Sequence, residues 1–291
     1  MGRRIRHAFV YWLARGVMAA LALLPVRAGR GAGRVLGALA HRIARRERLR
    51  AREQLALAFG LDPGGRRATL LARGVFAHLG ASLVELCRLM ARPDRVPAVR
   101  LTGGSRGALD GALAAGRGVI FATLHLGNWE LMAVALARAG YPISTVAKES
   151  HDPRFTRLLA RERARFGVEC IFRGRPGAVA GILRALKKGR VLGLLIDQDT
   201  SVPGVFVPFF GREAFTPVAA AAIALRTGAP VVVGSIRRLR GGGHEVTVEP
   251  CALPADPRAA TALITGRLEE RVRQRPSQWV WFHERWRTRE A

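Results

Sequence analysis

Cysteine is scarce in this chain. Three residues in 291, Cys87, Cys170 and Cys251, stand far apart with no ligand spacing. They argue against a disulfide framework or a structural zinc site and fit a reducing compartment. Acidic residues are also few, 21 against 48 lysines and arginines, which leaves a formal net charge of +27. The excess is mostly arginine and is spread along the chain, so it is not a basic tail. A surface of that kind favours anionic partners: nucleic acid, an anionic membrane face, phosphorylated lipids or an acidic carrier protein. There is no internal repeat and no low-complexity linker, which excludes a solenoid and a beads-on-a-string organisation. No helix-turn-helix, zinc finger or RNA-binding block is present, so charge alone supports a nucleic-acid-binding reading. Nor is there a long uninterrupted apolar run.

The nearest approach to one is 8–26, where Arg15 breaks the apolar stretch. That interruption, and the lack of a small-x-small cleavage site after it, argue against a signal peptide. A spanning helix needs about 20 apolar residues, and this segment is barely long enough. An interfacial or tilted anchor with Tyr11 and Trp12 at headgroup level fits better, and a plain core helix is the bland alternative. The downstream flank is rich in arginine (Arg27, Arg30, Arg34, Arg42, Arg45, Arg46), which places the body on the cytoplasmic side. We therefore expect an anchor over 1–30 and one domain over 31–291. The hydrophobic content of 49% is ample for a packed core.

Residues 35–58 and 66–90 read as helices. Phe76, Leu79, Leu83 and Leu86 form one stripe of the second, and Glu85 is either an interior contact or a solvent-facing carboxylate. From Leu101 the pattern becomes alternating. Strands are expected at 119–124, 143–147, 168–172, 191–196, 205–209, 230–236 and 244–249. Helices are expected at 105–115, 129–139, 154–166, 178–188, 217–227 and 257–275. This is an α/β chain with a mostly parallel or mixed central sheet flanked by helices, behind an N-terminal membrane-associated helix.

One stretch organises the rest. Val119 to Leu124 reads as a buried strand, His125 stands at its C-terminal end, and Gly127-Asn128 supply a turn. Asn128 is a good N-cap for a helix from Trp129, with Glu130 in the first turn. In open α/β sheets ligands bind at the carboxyl ends of strands. The layout suits a general base, with Glu130 orienting the imidazole and stabilising its protonated form. The spacing alone is weak, since His244 and Glu249 repeat it. That second pair lies in an alternating strand, where an odd offset turns the two side chains to opposite faces.

Further blocks follow in order. Arg50-Ala-Arg-Glu-Gln-Leu-Ala-Leu-Ala-Phe lies in the first helical region. Residues 151–167 form a basic helix with Phe155, Leu158, Leu159 and Phe166 as its buried stripe. Val191 to Ile196 reads as a buried strand ending in Asp197-Gln198-Asp199. Val205-Phe-Val-Pro-Phe-Phe-Gly suits an apolar wall or ordinary core packing. The tail, Pro276-Ser-Gln-Trp-Val-Trp-Phe-His-Glu-Arg-Trp, suits a folded lid or a membrane-interface belt. A lone Asp-x-Asp is common, and hydrogen bonding that fixes the site loops is expected of it rather than a metal. Nothing sets His283 beside His125 as a second base.

His125-Leu-Gly-Asn-Trp-Glu130 with these blocks, over about residues 5–289, resembles the bacterial lipid A biosynthesis acyltransferases, within the lysophospholipid-type group that carries a His-x4-Asp/Glu motif. The resemblance implies His125 and Glu130 as the catalytic pair and places Arg163 near the site, with Arg165 the fallback. Asn128, Arg163, Asp197, Gln198 and Asp199 would serve substrate binding, oxyanion stabilisation or the site loops. It further implies an acyl carrier protein thioester as donor, with acyl-coenzyme A the alternative, and a Kdo-bearing lipid A precursor, an anionic glycolipid, as acceptor. Location at the inner membrane is implied, with no cofactor or metal and no nucleic acid partner. Phosphatidylinositol mannoside acyltransferases share related blocks, so another glycolipid acceptor stays open.

Overall fold

The structure is a computed structural model that describes residues 12, 16, 17, 19–21, 23–150 and 152–290. Most of the expected anchor, 1–30, lies outside the described residues.

Two helices come first, α1 (Val26–Ile43) and α2 (Arg45–Phe59), followed by the long α3 (Arg66–Ala91). The helix expected over 35–58 is therefore broken at Ala44, and α1 runs across the boundary placed at residue 30. Helix α1 crosses α3 at backbone contact. A Cβ on Gly33 would meet the Gly80 carbonyl oxygen at 2.6 Å, and one on Gly37 would meet that of Phe76 at 2.2 Å. Small residues at every fourth position permit this approach, as in other close helix pairs. The opposite side of α1 leaves Val35, Leu36, Leu39 and Ile43 exposed.

The α/β body runs β1 (Val99–Leu101), α4 (Gly103–Leu113), β2 (Val119–Thr123), α5 (Trp129–Arg138), β3 (Ile143–Lys148), α6 (Pro153–Arg165), β4 (Glu169–Arg173), α7 (Ala178–Lys187), β5 (Val191–Leu195), β6 (Gly204–Phe209), β7 (Arg212–Pro217), α8 (Ala219–Thr227), β8 (Val231–Arg238), β9 (His244–Pro250) and α9 (Pro257–Gln274). Seven strands form one sheet in the order β1-β9-β8-β2-β5-β3-β4. All neighbours are parallel except β8 and β9. The expected mostly parallel sheet is thus observed. The three-residue β1 was not expected, because so short an edge strand carries no periodicity.

Strand β7 was not expected either. It pairs antiparallel with β6 as a separate hairpin, with Phe209 opposite Arg212. The two-residue loop is Phe210 and Gly211, with φ of 54° and 72°. A type I′ hairpin turn requires positive φ at both loop positions, and a phenylalanine there gives no sequence signal.

Strand β2 is fully buried at the centre of the sheet. Its alternation divides the core in two. Ile120, Ala122 and Leu124 join Leu192, Leu194 and Val233 on the face covered by α8, α9 and the C-terminal tail. Val119 and Phe121 join Val191, Val232 and Ile143 under α4 and α5. The tail is neither lid nor exposed belt. Trp279 and Trp281 are buried, 4.5 Å apart edge to face, and Trp279 lies against Phe209. Buried Arg285 donates to the Phe215 carbonyl at 2.6 Å and to the Thr216 hydroxyl. The Val-Pro-Phe-Phe-Gly block is therefore core packing and not a cavity wall, with Phe209 and Phe210 packed edge-on or tilted against Phe59, Trp279 and Trp281.

Candidate active site

Strand β2 ends at Thr123, and the chain turns through His125, Leu126, Gly127 and Asn128 into α5. Gly127 has φ of 66°, and a Cβ there would meet the Ile236 carbonyl oxygen at 2.1 Å. Only glycine lets the turn press this closely on β8. Asn128 caps α5 by accepting from the Leu131 N–H at 3.3 Å. Its amide donates to Oε2 of Glu85 at 3.2 Å and to the Ser82 carbonyl at 3.4 Å, so α3 holds the turn from behind.

Glu85 is an interior contact, 3% exposed. It accepts from Arg238 and from Arg30 Nε at 2.9 Å, and the His244 Nε2 atom lies 3.3 Å away. Burial works against its ionisation, but His244 and Arg238 outweigh it and hold the carboxyl well below the usual range. His78, on the same helix, is pulled down to about 4 by burial and by Arg238. His244 thus belongs to this buried cluster, while Glu249 faces away and accepts from Arg271 at 2.5 Å. The odd-offset expectation for that pair is what the strand shows.

The imidazole of His125 is held by Asp197. Nδ1–H donates to Oδ1 at 2.8 Å, and the His125 backbone N–H donates to Oδ2 at 2.8 Å. Trp279 Nε1 completes the shell of Asp197 at 2.7 Å. Parallel pairing of β2 with β5 brings the two residues together, because both follow the ends of neighbouring strands. No hydrogen bond joins Glu130, expected to orient the imidazole, to the His125 ring among the described residues. Glu130 instead receives a bidentate pair from Arg163, Nε to Oε2 at 3.0 Å and Nη2 to Oε1 at 2.6 Å. Burial opposes the imidazolium, yet Asp197 and, behind it, Glu130 outweigh it and raise the His125 pKa above its ordinary value. With Nδ1 committed, Nε2 has no hydrogen-bond partner among the described residues. The side chain is 23% exposed, and its ring lies 5.0 Å from that of Trp129, edge to face.

Arg163 also donates to Thr145 Oγ1 at 3.2 Å and contacts Cys170 Sγ at 3.3 Å. Arg165 points elsewhere, to Glu162 and the Met90 carbonyl. Asp199 lies two residues beyond Asp197 but serves the tail. It accepts from Thr288 N at 2.7 Å and Arg287 at 3.1 Å, and its carbonyl accepts from His283 Nε2 at 2.9 Å. Gln198 is half-buried between them, with no side-chain hydrogen bond among the described residues. The expected Asp197–Asp199 block therefore splits, one carboxylate to the histidine and one to the tail. No group of three or more potential metal ligands occurs among the described residues. Burial pushes the Cys87 thiol up to about 11 and raises that of Cys251, so both stay protonated.

Beside Glu130 and Arg163 opens a cavity of about 330 Å³ between α3, α5 and α6. Its walls are apolar: Leu86, Leu89, Val134, Phe155, Leu159 and Phe166 among them. The stripe of α6 that reads from sequence as buried thus lines a cavity. Sequence reasoning missed it because a packed stripe and a cavity wall have the same periodicity.

Residues 2–288 match the family described as bacterial lipid A biosynthesis acyltransferase. The chain is 29% identical over 242 residues to a phosphatidylinositol mannoside acyltransferase of Mycobacterium tuberculosis, covering 81% of this chain and 76% of that one. It is similar to two proteins of Escherichia coli K12 over 96% of its length and 91% of theirs: a lipid A biosynthesis palmitoleoyltransferase, 27% identical, and a lipid A biosynthesis lauroyltransferase, 28% identical. The match covers nearly the whole chain, and the chain belongs to the bacterial lipid A biosynthesis acyltransferase family, an acyltransferase family.

Proposed function

We propose that the protein moves a fatty acyl chain from an acyl carrier protein thioester to a hydroxyl of a lipid A precursor, with His125 as general base. The observation that carries this reading is the Nδ1–Asp197 hydrogen bond, which fixes the ring and leaves Nε2 open. Nε2 takes the proton of the acceptor hydroxyl, and that oxygen attacks the thioester carbonyl carbon. The tetrahedral intermediate collapses with cleavage of the C–S bond, and the imidazolium returns its proton to the leaving thiolate. Asp197 offsets the imidazolium charge. The unpaired N–H groups of the first turn of α5 supply oxyanion donors. Glu130 and Arg163 act together, the carboxylate holding the guanidinium at the cavity mouth and adding a weaker field at His125. The cavity takes the acyl chain. No covalent intermediate is required, in keeping with two protonated buried thiols.

The body works at the cytoplasmic face of the inner membrane. Support comes from the exposed Val35, Leu36, Leu39 and Ile43 of α1, set among arginines, a pattern suited to an anionic interface. Helix α3 is long and apolar enough to cross a membrane, but half of its most apolar window is buried, and it packs against α1 as a core helix. Removing 1–26 should weaken co-sedimentation with membranes. A basic nucleic-acid-binding protein would not respond to that deletion.

A second acceptor class, a phosphatidylinositol mannoside, is favoured by the similarity to the mycobacterial enzyme. The test is acyl transfer by the purified protein from acyl carrier protein and coenzyme A thioesters to each acceptor, with mass spectrometry of lipid A from a strain lacking the protein. Unchanged lipid A together with no transfer to its precursor overturns the first reading.

A further inference from the structure

On the other side of the turn that carries His125 lies a cavity of about 120 Å³ with a different lining. Three arginines line it, Arg237 on β8 and Arg271 and Arg275 at the end of α9, with Gln274 beside them. Ser235 and Thr247 contribute hydroxyls 3.3 Å apart, and Leu126, the neighbour of His125, forms part of the wall. No carboxylate lines it.

Several donors here have no hydrogen-bond partner among the described residues, and neither has the buried Oε1 of Glu249. Arg237 gives Nε and Nη2 to Glu245, which leaves Nη1 without an acceptor among the described residues. Arg271 gives Nη2 to Glu249 at 2.5 Å, and its Nε is buried with no partner. Arg275 makes only a long contact with the Gln274 carbonyl, 3.4 Å from Nη1. Of the two hydroxyls, one donates to the other and the second keeps a free proton. Glu245 and Glu249 stand behind the arginines and orient them. Each is shared with a further arginine, Arg100 and Arg267, so the cavity keeps a positive balance. Basic residues in a last helical turn commonly complement the helix dipole. That accounts for Arg273, which pairs with Glu269, but not for Arg271 and Arg275 converging with Ser235.

Unpaired charged donors around a partly open polar pocket suit an oxyanion with several acceptor oxygens. We propose that this cavity binds a phosphate group. Its oxygens accept from Arg275, Arg271 and Arg237 and from the Ser235–Thr247 pair. The occupant then rests on Leu126 and so steadies the turn bearing His125. Two sources share this chemistry, a phosphate monoester on a lipid headgroup and free phosphate. The inference goes beyond acyl transfer and does not depend on it.

The experiment uses the full-length protein in neutral detergent without any acyl donor. Thermal unfolding is followed against inorganic phosphate, with chloride at matched ionic strength as reference. A phosphate-specific rise in Tm is expected for the unaltered protein and for Arg161→Gln, an exposed control. Arg275→Gln should weaken the apparent affinity about tenfold or more, the loss of one charge-assisted contact. Ser235→Ala, a smaller change that should not disturb folding, should weaken it less. A second arm measures binding to phosphatidylcholine vesicles with and without phosphatidic acid. A response to phosphatidic acid alone assigns the site to a lipid headgroup, and a response to inorganic phosphate alone to the free ion. No response in either arm, or one unchanged in both Arg275→Gln and Ser235→Ala, overturns the proposal. Because no acyl transfer is read, failure of the acyltransferase reading would not disturb this outcome.

Discussion

Nδ1 of His125 lies 2.8 Å from Oδ1 of Asp197, across a sequence separation of 72 residues. Two consequences follow for the chemistry: the ring is fixed in one tautomer, and its proton affinity is raised. A base with a raised pKa is neutral only above that pKa, so the acid limb of the rate profile should lie above the ordinary 6.5 of histidine. Replacing Asp197 with Asn removes the main charge that favours imidazolium. The acid limb should then move to lower pH, while the maximal rate falls because the tautomer is no longer enforced. Glu130→Gln should shift the limb in the same direction by less. A pH profile that is unmoved in Asp197→Asn would remove Asp197 from the site.

Loss of the base itself is the plainest test. His125→Ala should lower turnover roughly 10²–10⁴-fold. The residue sits at a strand mouth and is partly exposed, so circular dichroism should be unchanged. Near-normal turnover in the folded variant would defeat the proposed mechanism.

Arg163 and Arg165 share a helix but not a role. Arg163→Ala leaves Glu130 unpaired at the cavity mouth and should cost activity. Arg165→Ala loses a partly exposed contact with Glu162 and should be close to neutral, as should Arg161→Ala. Parallel assays of the three variants check this, and the reverse order would contradict the role given to Arg163.

The apolar cavity should govern chain length. Leu159→Trp adds bulk to the wall, so the preferred acyl chain should shorten while His125 chemistry is untouched. Competition between thioesters of different length, read by mass spectrometry, gives the result. An unchanged preference would move the acyl chain elsewhere.

Glu85 should matter for stability. Its removal strands Arg238 and Arg30, and breaking a buried ion pair costs roughly 3–5 kcal/mol. Because its folded pKa is depressed, this stabilisation is present above the ordinary 4.5 and fades only as pH falls towards the lower folded value. Urea unfolding of Glu85→Ala at neutral and acid pH measures both. His244→Ala perturbs the same cluster, so it should lower stability while sparing turnover. Glu249→Ala, on the opposite face, should affect neither strongly.

Most of the strands and helices, the strand-mouth histidine, the capping asparagine and the family were legible in the sequence. Each rests on local signals: alternation from Val119 to Leu124, a turn at Gly127-Asn128, a helical stripe behind Trp129. The partner of His125 was not legible. The motif offers Glu130 because it is near in sequence, but a carboxylate in the first helical turn is oriented by that helix, and Arg163 claims it. Asp197 reaches the ring because β5 happens to lie beside β2, and strand order is a property of the whole sheet. The same limit hid the burial of the tryptophan tail, the cavity under α6 and the cluster around Glu85. Periodicity reports which face of an element turns inward. What waits there, another side chain, empty space or a buried charge, is decided only when distant segments pack together.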